Sequence, residues 1–158
     1  MMKKISLVLC LIIIVSCTST HQQTQTTTTK PLTPTPVEDF RYEQMTIIIG
    51  TPIRIEGYKG SSKDIVIPSE IEGFKVTWIR AYAFSRDNLN SVVLPDTLVV
   101  IRDGAFANNN LTDIIIPDSV MSIGENAFKN NKLTKVIIPR NTEIEKNTFD
   151  ENVEIIRK

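Results

Sequence analysis

The chain has 158 residues, with 18 Lys and Arg against 18 Asp and Glu and a single histidine. That length suits one domain, and zero formal net charge argues against a nucleic-acid partner, whose binders normally carry a basic stripe. Two cysteines and one histidine leave almost nothing from which to build a zinc site or a nucleophilic triad, so no catalytic, cofactor or metal role is assigned.

Met1-Met2-Lys3-Lys4 is a short basic head before the apolar run Ile5 to Val15, broken only by Ser6 and Cys10. The run has 11 residues, whereas a helix needs ~20 to cross ~30 Å of hydrocarbon. Its length and flanks fit a secretory h-region. The next residues, Ile14-Val15-Ser16-Cys17, resemble a bacterial lipobox, an apolar pair and a small residue before a cysteine. The resemblance implies a signal peptide over 1–16 and lipidation of Cys17 on sulfur, with Cys17 as the new N-terminus. The alternatives are an ordinary signal peptide or an uncleaved anchor. On the lipoprotein reading Cys10 leaves with the peptide, so the mature chain has no disulfide. Loss of Lys3 and Lys4 leaves 16 basic against 18 acidic side chains, a charge of −2. Two or more acyl chains hold a protein stably on a bilayer, where one does not.

Residues 17–39 are expected to form a disordered tether. Nine threonines, three glutamines and three prolines fall between Thr18 and Val37, with no apolar periodicity. Such a composition buries too little surface to offset its ordering entropy. Thr33-Pro34-Thr35-Pro36 favours extended geometry at ~3 Å per residue. His21 lies here, with nothing to hold it for chemistry.

Residues 40–63 are expected to form an N-terminal cap. Thr46-Ile47-Ile48-Ile49 and Pro52-Ile53-Arg54-Ile55 flank Gly50 and read as the two strands of a β-hairpin.

Residues 64–158 are a repeat. Pro68, Pro95, Pro117 and Pro139 lie 27, 22 and 22 apart, and Phe84, Phe106, Phe128 and Phe149 lie 22, 22 and 21 apart. The step from each of the first three phenylalanines to the next proline is always 11. Two markers locked in phase at this period indicate a solenoid of about four repeats, within leucine-rich-repeat lengths. The unit reads NLTDIIIPDSVMSIGENAF from Asn110, with an irregular first copy from Asp64 that carries a five-residue insertion around Gly73. Strand alternation turns Ile65, Val92, Ile114 and Val136 inward, with Ile67, Leu94, Ile116 and Ile138. Proline closes each strand because it has no N–H to give. Ile79, Ile101, Ile123 and Ile144 form a further inward column, while Ala83, Ala105 and Ala127 let neighbouring coils approach. Asn108 to Asn110 and Asn130-Asn131 suit side-chain ladders that bond turn amides. A lone coil cannot offset its own ordering entropy; stacking is what makes it fold.

The pattern L-x-x-[IV]-x-[IL]-P-x-x-[VL]-x-x-I-[GR]-x-x-A-F resembles the BspA-like, or treponemal-type, leucine-rich repeats, over about residues 40–156. The resemblance implies a mainly β, right-handed curved solenoid with one parallel sheet on its concave face. It also implies a bacterial cell-surface protein, often one linked to adhesion. The chain departs from the pattern where Arg80, Arg102 and Glu145 replace the glycine kept at Gly124.

Alternation leaves Val66, Val93, Ile115 and Ile137 facing outward, an apolar row flanked by Ser91, Asp113 and Lys135. Rows of this kind often mark binding sites, although β-branched residues also simply suit strands. These residues are the candidate partner-binding face, and self-association through them is a second use. Trp78 and Tyr82, in the irregular first unit, read as core or cap packing, with a ligand platform as the alternative. The expected function is a lipid-anchored extracytoplasmic binding module, held to the membrane by its lipid and engaging a protein of host matrix or envelope. A cell-surface or outer-membrane position is favoured. The alternative is a periplasm-facing scaffolding lipoprotein.

Overall fold

In a computed structural model, the structure describes residues 33–46 and 50–158. The signal segment, Cys17 and the tether as far as residue 32 lie outside the described residues, as do Ile47 to Ile49.

The chain makes one 3-10 turn at Val37–Asp39 and then a series of short strands. In order these are β1 (Phe40–Gln44), β2 (Ile53–Tyr58), β3 (Asp64–Val66), β4 (Glu70–Ile71), β5 (Phe74–Ile79), β6 (Ser91–Val93), β7 (Val100–Ile101), β8 (Ser122–Ile123), β9 (Lys135–Ile138), β10 (Glu143–Ile144) and β11 (Glu154–Arg157). They stack as a β-solenoid of about five turns, each turn carrying two strand segments.

The first segment of each turn is the I-x-I strand before the proline. β3 pairs with β6 and β9 with β11, both in parallel, while Ile115 joins only through a bridge to Ile137. Among the described residues no ladder connects Ser91–Val93 to Asp113–Ile115. The second segment is centred on the inward isoleucine of each turn. Here β2, β5, β7, β8 and β10 run parallel without interruption, extended by β1 beside β2 and β4 beside β5, both antiparallel. The expected parallel sheet is therefore present, but its longest run lies on the second segment and not on the I-x-I strands.

Both inward columns of the I-x-I strands are buried, as are Ile79, Ile101 and Ile123. Ile144 is only partly buried, because it lies on the last rung of its sheet and has one neighbour, Ile123. The four phenylalanines form one column, with rings stacked at 4.9, 5.2 and 5.4 Å and nearly parallel. Offset aromatic pairs favour that range. At its N-terminal end Phe40 and Tyr58 tilt over Phe84 at 6.3 and 6.2 Å.

Repeated corners explain the asparagines. The positions Tyr82, Gly104, Asn126 and Asn147 all have φ near +60°, as do Arg86, Asn108 and Asn130 one turn later in each coil. Asparagine and glycine enter this left-handed region most easily. Asn109 then ties coils together: its Nδ2 donates to the carbonyls of Phe84 (2.8 Å) and Phe106 (2.9 Å), and its Oδ1 accepts from the Leu89 N–H (2.9 Å). Asn131 repeats the arrangement with Phe106, Phe128 and Leu111. In the last coil the Asp150 carboxylate accepts from the N–H groups of Asn130 and Asn131.

Three details differ from the sequence reading. The strand that pairs with β2 is Phe40–Gln44, which brings Phe40 to the aromatic column; Ile47 to Ile49 of the expected first strand lie outside the described residues. The folded body starts earlier than residue 40. Thr35 is buried, its N–H donating to Val66 O (3.2 Å) while its Oγ1 accepts from Val66 N–H (2.8 Å). Finally, Tyr82 is 66% exposed and enters neither core nor cap; it holds a left-handed corner, with its ring lying over Gly104 of the next coil. Trp78 is half-buried.

Candidate protein-interaction face

The outward row is assembled by register. Val66 pairs with Val93, Ile115 with Ile137, and Ile137 with Ile156. Burial alternates along β9 as the pleat requires, so Val136 and Ile138 are buried while Lys135 and Ile137 are not; the alternation is lost in the terminal β11, where Ile155 is exposed. Val93 is 40% exposed, Ile115 79% and Ile137 46%; Val66, at the Thr35 end, is half-buried. Ile156 extends the row by one rung and was missed in sequence, although Glu154-Ile155-Ile156 aligns with Lys135-Val136-Ile137 in the same phase.

A polar row runs alongside. Asp64 pairs in register with Ser91, and Lys135 with Glu154; Asp113, one residue before an inward isoleucine, holds the corresponding place in its coil. The Ser91 hydroxyl donates to Asp64 (2.8 Å), which fixes that end of the row. The face is therefore a narrow aliphatic ridge bordered by charges of both signs.

The missing ladder between β6 and residues 113–115 opens a notch in the ridge. A depression of about 270 Å³ lies there, walled by Val93, Leu94, Ile115 and Pro117, with Asp96 and Asp113 at its sides. A second, of about 480 Å³, begins on the other side of Ile115 and runs past Lys135 and Ile137 to Lys158. Lys158 is held by an ion pair with Asp118 at 2.6 Å. Ile115 stands between the two depressions, which makes it the most prominent apolar group of the face. Large apolar groups seated between concavities and ringed by polar residues are the anatomy of protein interfaces.

The geometry defines a class: a repeat solenoid whose exposed apolar row is spread along stacked strands and not gathered into one enclosed cavity. Six copies of the BspA type leucine-rich-repeat model match residues 77–157. The chain belongs to the BspA-type leucine-rich-repeat family. Two solved structures are similar. The leucine-rich repeat protein of T. pallidum is 25% identical with a TM-score of 0.53, over 80% of this chain and 65% of that one. A leucine-rich repeat protein of Bacteroides ovatus is 18% identical with a TM-score of 0.53, over 78% of this chain and 41% of that one. This chain thus spans less than two thirds of either, and the second likeness concerns the fold alone. No curated protein matches the chain in sequence. The leucine-rich-repeat fold is that of a protein–protein interaction module, in a family that is typically extracellular or surface-associated.

Proposed function

We propose that the protein is an exported, lipid-anchored module that binds a protein partner, at the bacterial cell surface, through the outward side of its I-x-I strands. The observation that carries this reading is the exposed alignment of Val93, Ile115 and Ile137. Monomeric soluble proteins rarely leave such a row open without a use. Thr35 meets Val66 at the N-terminal end of the row, and Val93, Ile115 and Ile137 stay exposed among the described residues. Cys17, in its lipobox, supplies the anchor, and the Thr/Pro-rich segment holds the solenoid away from the bilayer. Ser91, Asp113 and Lys135 border the ridge and set orientation more than affinity.

The test pairs Ile115→Asp with Ile137→Asp and measures capture of proteins from host matrix and from envelope extract by the immobilised chain. Loss of capture with an unchanged circular dichroism spectrum is expected; capture that survives sinks the reading of this face. The anchor is tested separately by Cys17→Ala, which should release the protein from the membrane fraction. Protease treatment of intact cells should shed the solenoid; protection from the protease would place it on the periplasmic side as a scaffold.

A further inference from the structure

On the second strand segment and the corner that follows it, the residues that depart from the repeat pattern fall together. Arg80 and Arg102 replace the glycine seen at Gly124, Tyr82 replaces the asparagine seen at Asn126, and Trp78 lies on the rung between Arg54 and Val100. The register and contacts of β2, β5 and β7 bring these side chains onto one surface. The Arg102 guanidinium sits over the Trp78 ring, 6.0 Å from its centroid. The Tyr82 ring covers Gly104, where a methyl group would collide with it. Arg54, Trp78, Arg80, Ala81 and Arg102 line a shallow depression of about 370 Å³, and Tyr82 is the next residue after Ala81 in the chain.

Folding alone does not account for Tyr82. It holds φ +60° where the equivalent residues are Gly104, Asn126 and Asn147, and a bulky residue in that region is strained. Its ring gains little burial in return, being 66% exposed. Strain kept at an exposed aromatic points toward recognition. The charges agree. Glu56 pairs with both Arg54 and Arg80, and Glu43 with Arg54, whereas Arg102 has no carboxylate partner among the described residues. One cation is left over, stacked on Trp78 and two residues before the glycine that the Tyr82 ring covers.

We infer that Trp78, Tyr82 and Arg102 form a binding site for an acidic glycan. The exposed Tyr82 ring offers an apolar face to the C–H side of a pyranose, and the planar Arg102 fork, stacked on Trp78, donates to its carboxylate or sulfate. An acidic peptide would satisfy the arginine without using the Tyr82 ring. A nucleic acid would need a far more basic surface than a chain of zero formal charge provides.

Trp78 is the one tryptophan of the chain, so its fluorescence reports on its own surroundings; it also borders a depression beside Pro52 and Phe74, and the Arg102→Ala variant tells the two apart. The full chain is titrated with hyaluronan oligosaccharides, chondroitin sulfate, neutral dextran and poly-glutamate. A saturable change in emission with one or both acidic glycans is expected, and little with dextran or poly-glutamate. Arg102→Ala and Tyr82→Asn should each weaken binding by about tenfold or more. Tyr82→Asn should at the same time raise the melting temperature by a few degrees, because asparagine suits the corner. A packing role for Tyr82 would instead make that variant less stable. No response to either acidic glycan, an equal response to poly-glutamate, or a less stable Tyr82→Asn would overturn the proposal. None of these results bears on the Ile115 face, which lies on the other strand segment.

Discussion

The two strand segments of each coil are built by opposite means. The I-x-I segment is the more apolar in sequence, with two inward residues per rung, yet its ladder breaks between Val93 and Ile115. The second segment contributes one inward isoleucine per rung and only two residues to β7, β8 and β10, yet its ladder runs through all five coils. Apolar content therefore marks which side chains are buried, not which backbones pair. Where the I-x-I ladder lapses, Asn109 and Asn131 supply hydrogen bonds between coils just ahead of it, at Leu89 and Leu111.

The largest expected effects probe this contrast at matched interior positions. Ile116 and Ile123 are both fully buried, one on each segment. Ile116→Ala and Ile123→Ala should each cost about 2–5 kcal/mol in urea unfolding, because cavity and transfer terms depend on burial and not on the ladder. A much smaller cost at Ile116 would mean that the I-x-I side relaxes around the gap, and would break the equivalence of the two columns.

Most of the architecture was legible in the sequence because the repeat writes the same residues into the same column. The phase of Phe84, Phe106, Phe128 and Phe149 predicts a single aromatic stack, and the rings do stack. The outward row was legible for the same reason: period-2 alternation fixes it once the inward columns are known. The continuous sheet was not, since two-residue strands such as Val100–Ile101 leave no alternation to read. Tyr82 was misjudged because aromatic residues usually seek the core. Its position in the corner series of Gly104, Asn126 and Asn147 was visible in the alignment, but the sign of φ there was not.

The asparagine ladder comes next in size. Asn109→Ala would strand the Leu89 N–H and leave the carbonyls of Phe84 and Phe106 without their side-chain donor, inside the body. A loss of about 1–3 kcal/mol is expected. Asn108, one residue earlier, is exposed and only accepts from Asn130 (2.9 Å), so Asn108→Ala should cost little beyond its left-handed corner, about 1 kcal/mol or less. Equal losses at the two positions would mean that corner geometry, and not the side-chain bonds, joins the coils on this side.

The smallest effect lies at the corner leading into β6. One carboxylate oxygen of Asp87 is buried without a hydrogen-bond partner, and burial pushes the group's pKa up, opposed by Lys63 and Arg41. Lys63 itself donates to the Asp87 backbone carbonyl (2.7 Å) and does not satisfy the side chain. A folded pKa above the unfolded value of ~3.9 means that the native state takes up a proton more readily than the unfolded one. The penalty is accordingly absent below the unfolded pKa, grows as pH rises, and is complete once pH passes the folded pKa. Asp87→Asn keeps the shape and removes the charge. It should stabilise the protein slightly at pH 7, by a few tenths of a kcal/mol because solvent screens much of the group, with the gain fading toward pH 3. Urea unfolding of both proteins at the two pH values reads the difference directly, and a gain that persists unchanged at pH 3 would show that the buried charge is not its source.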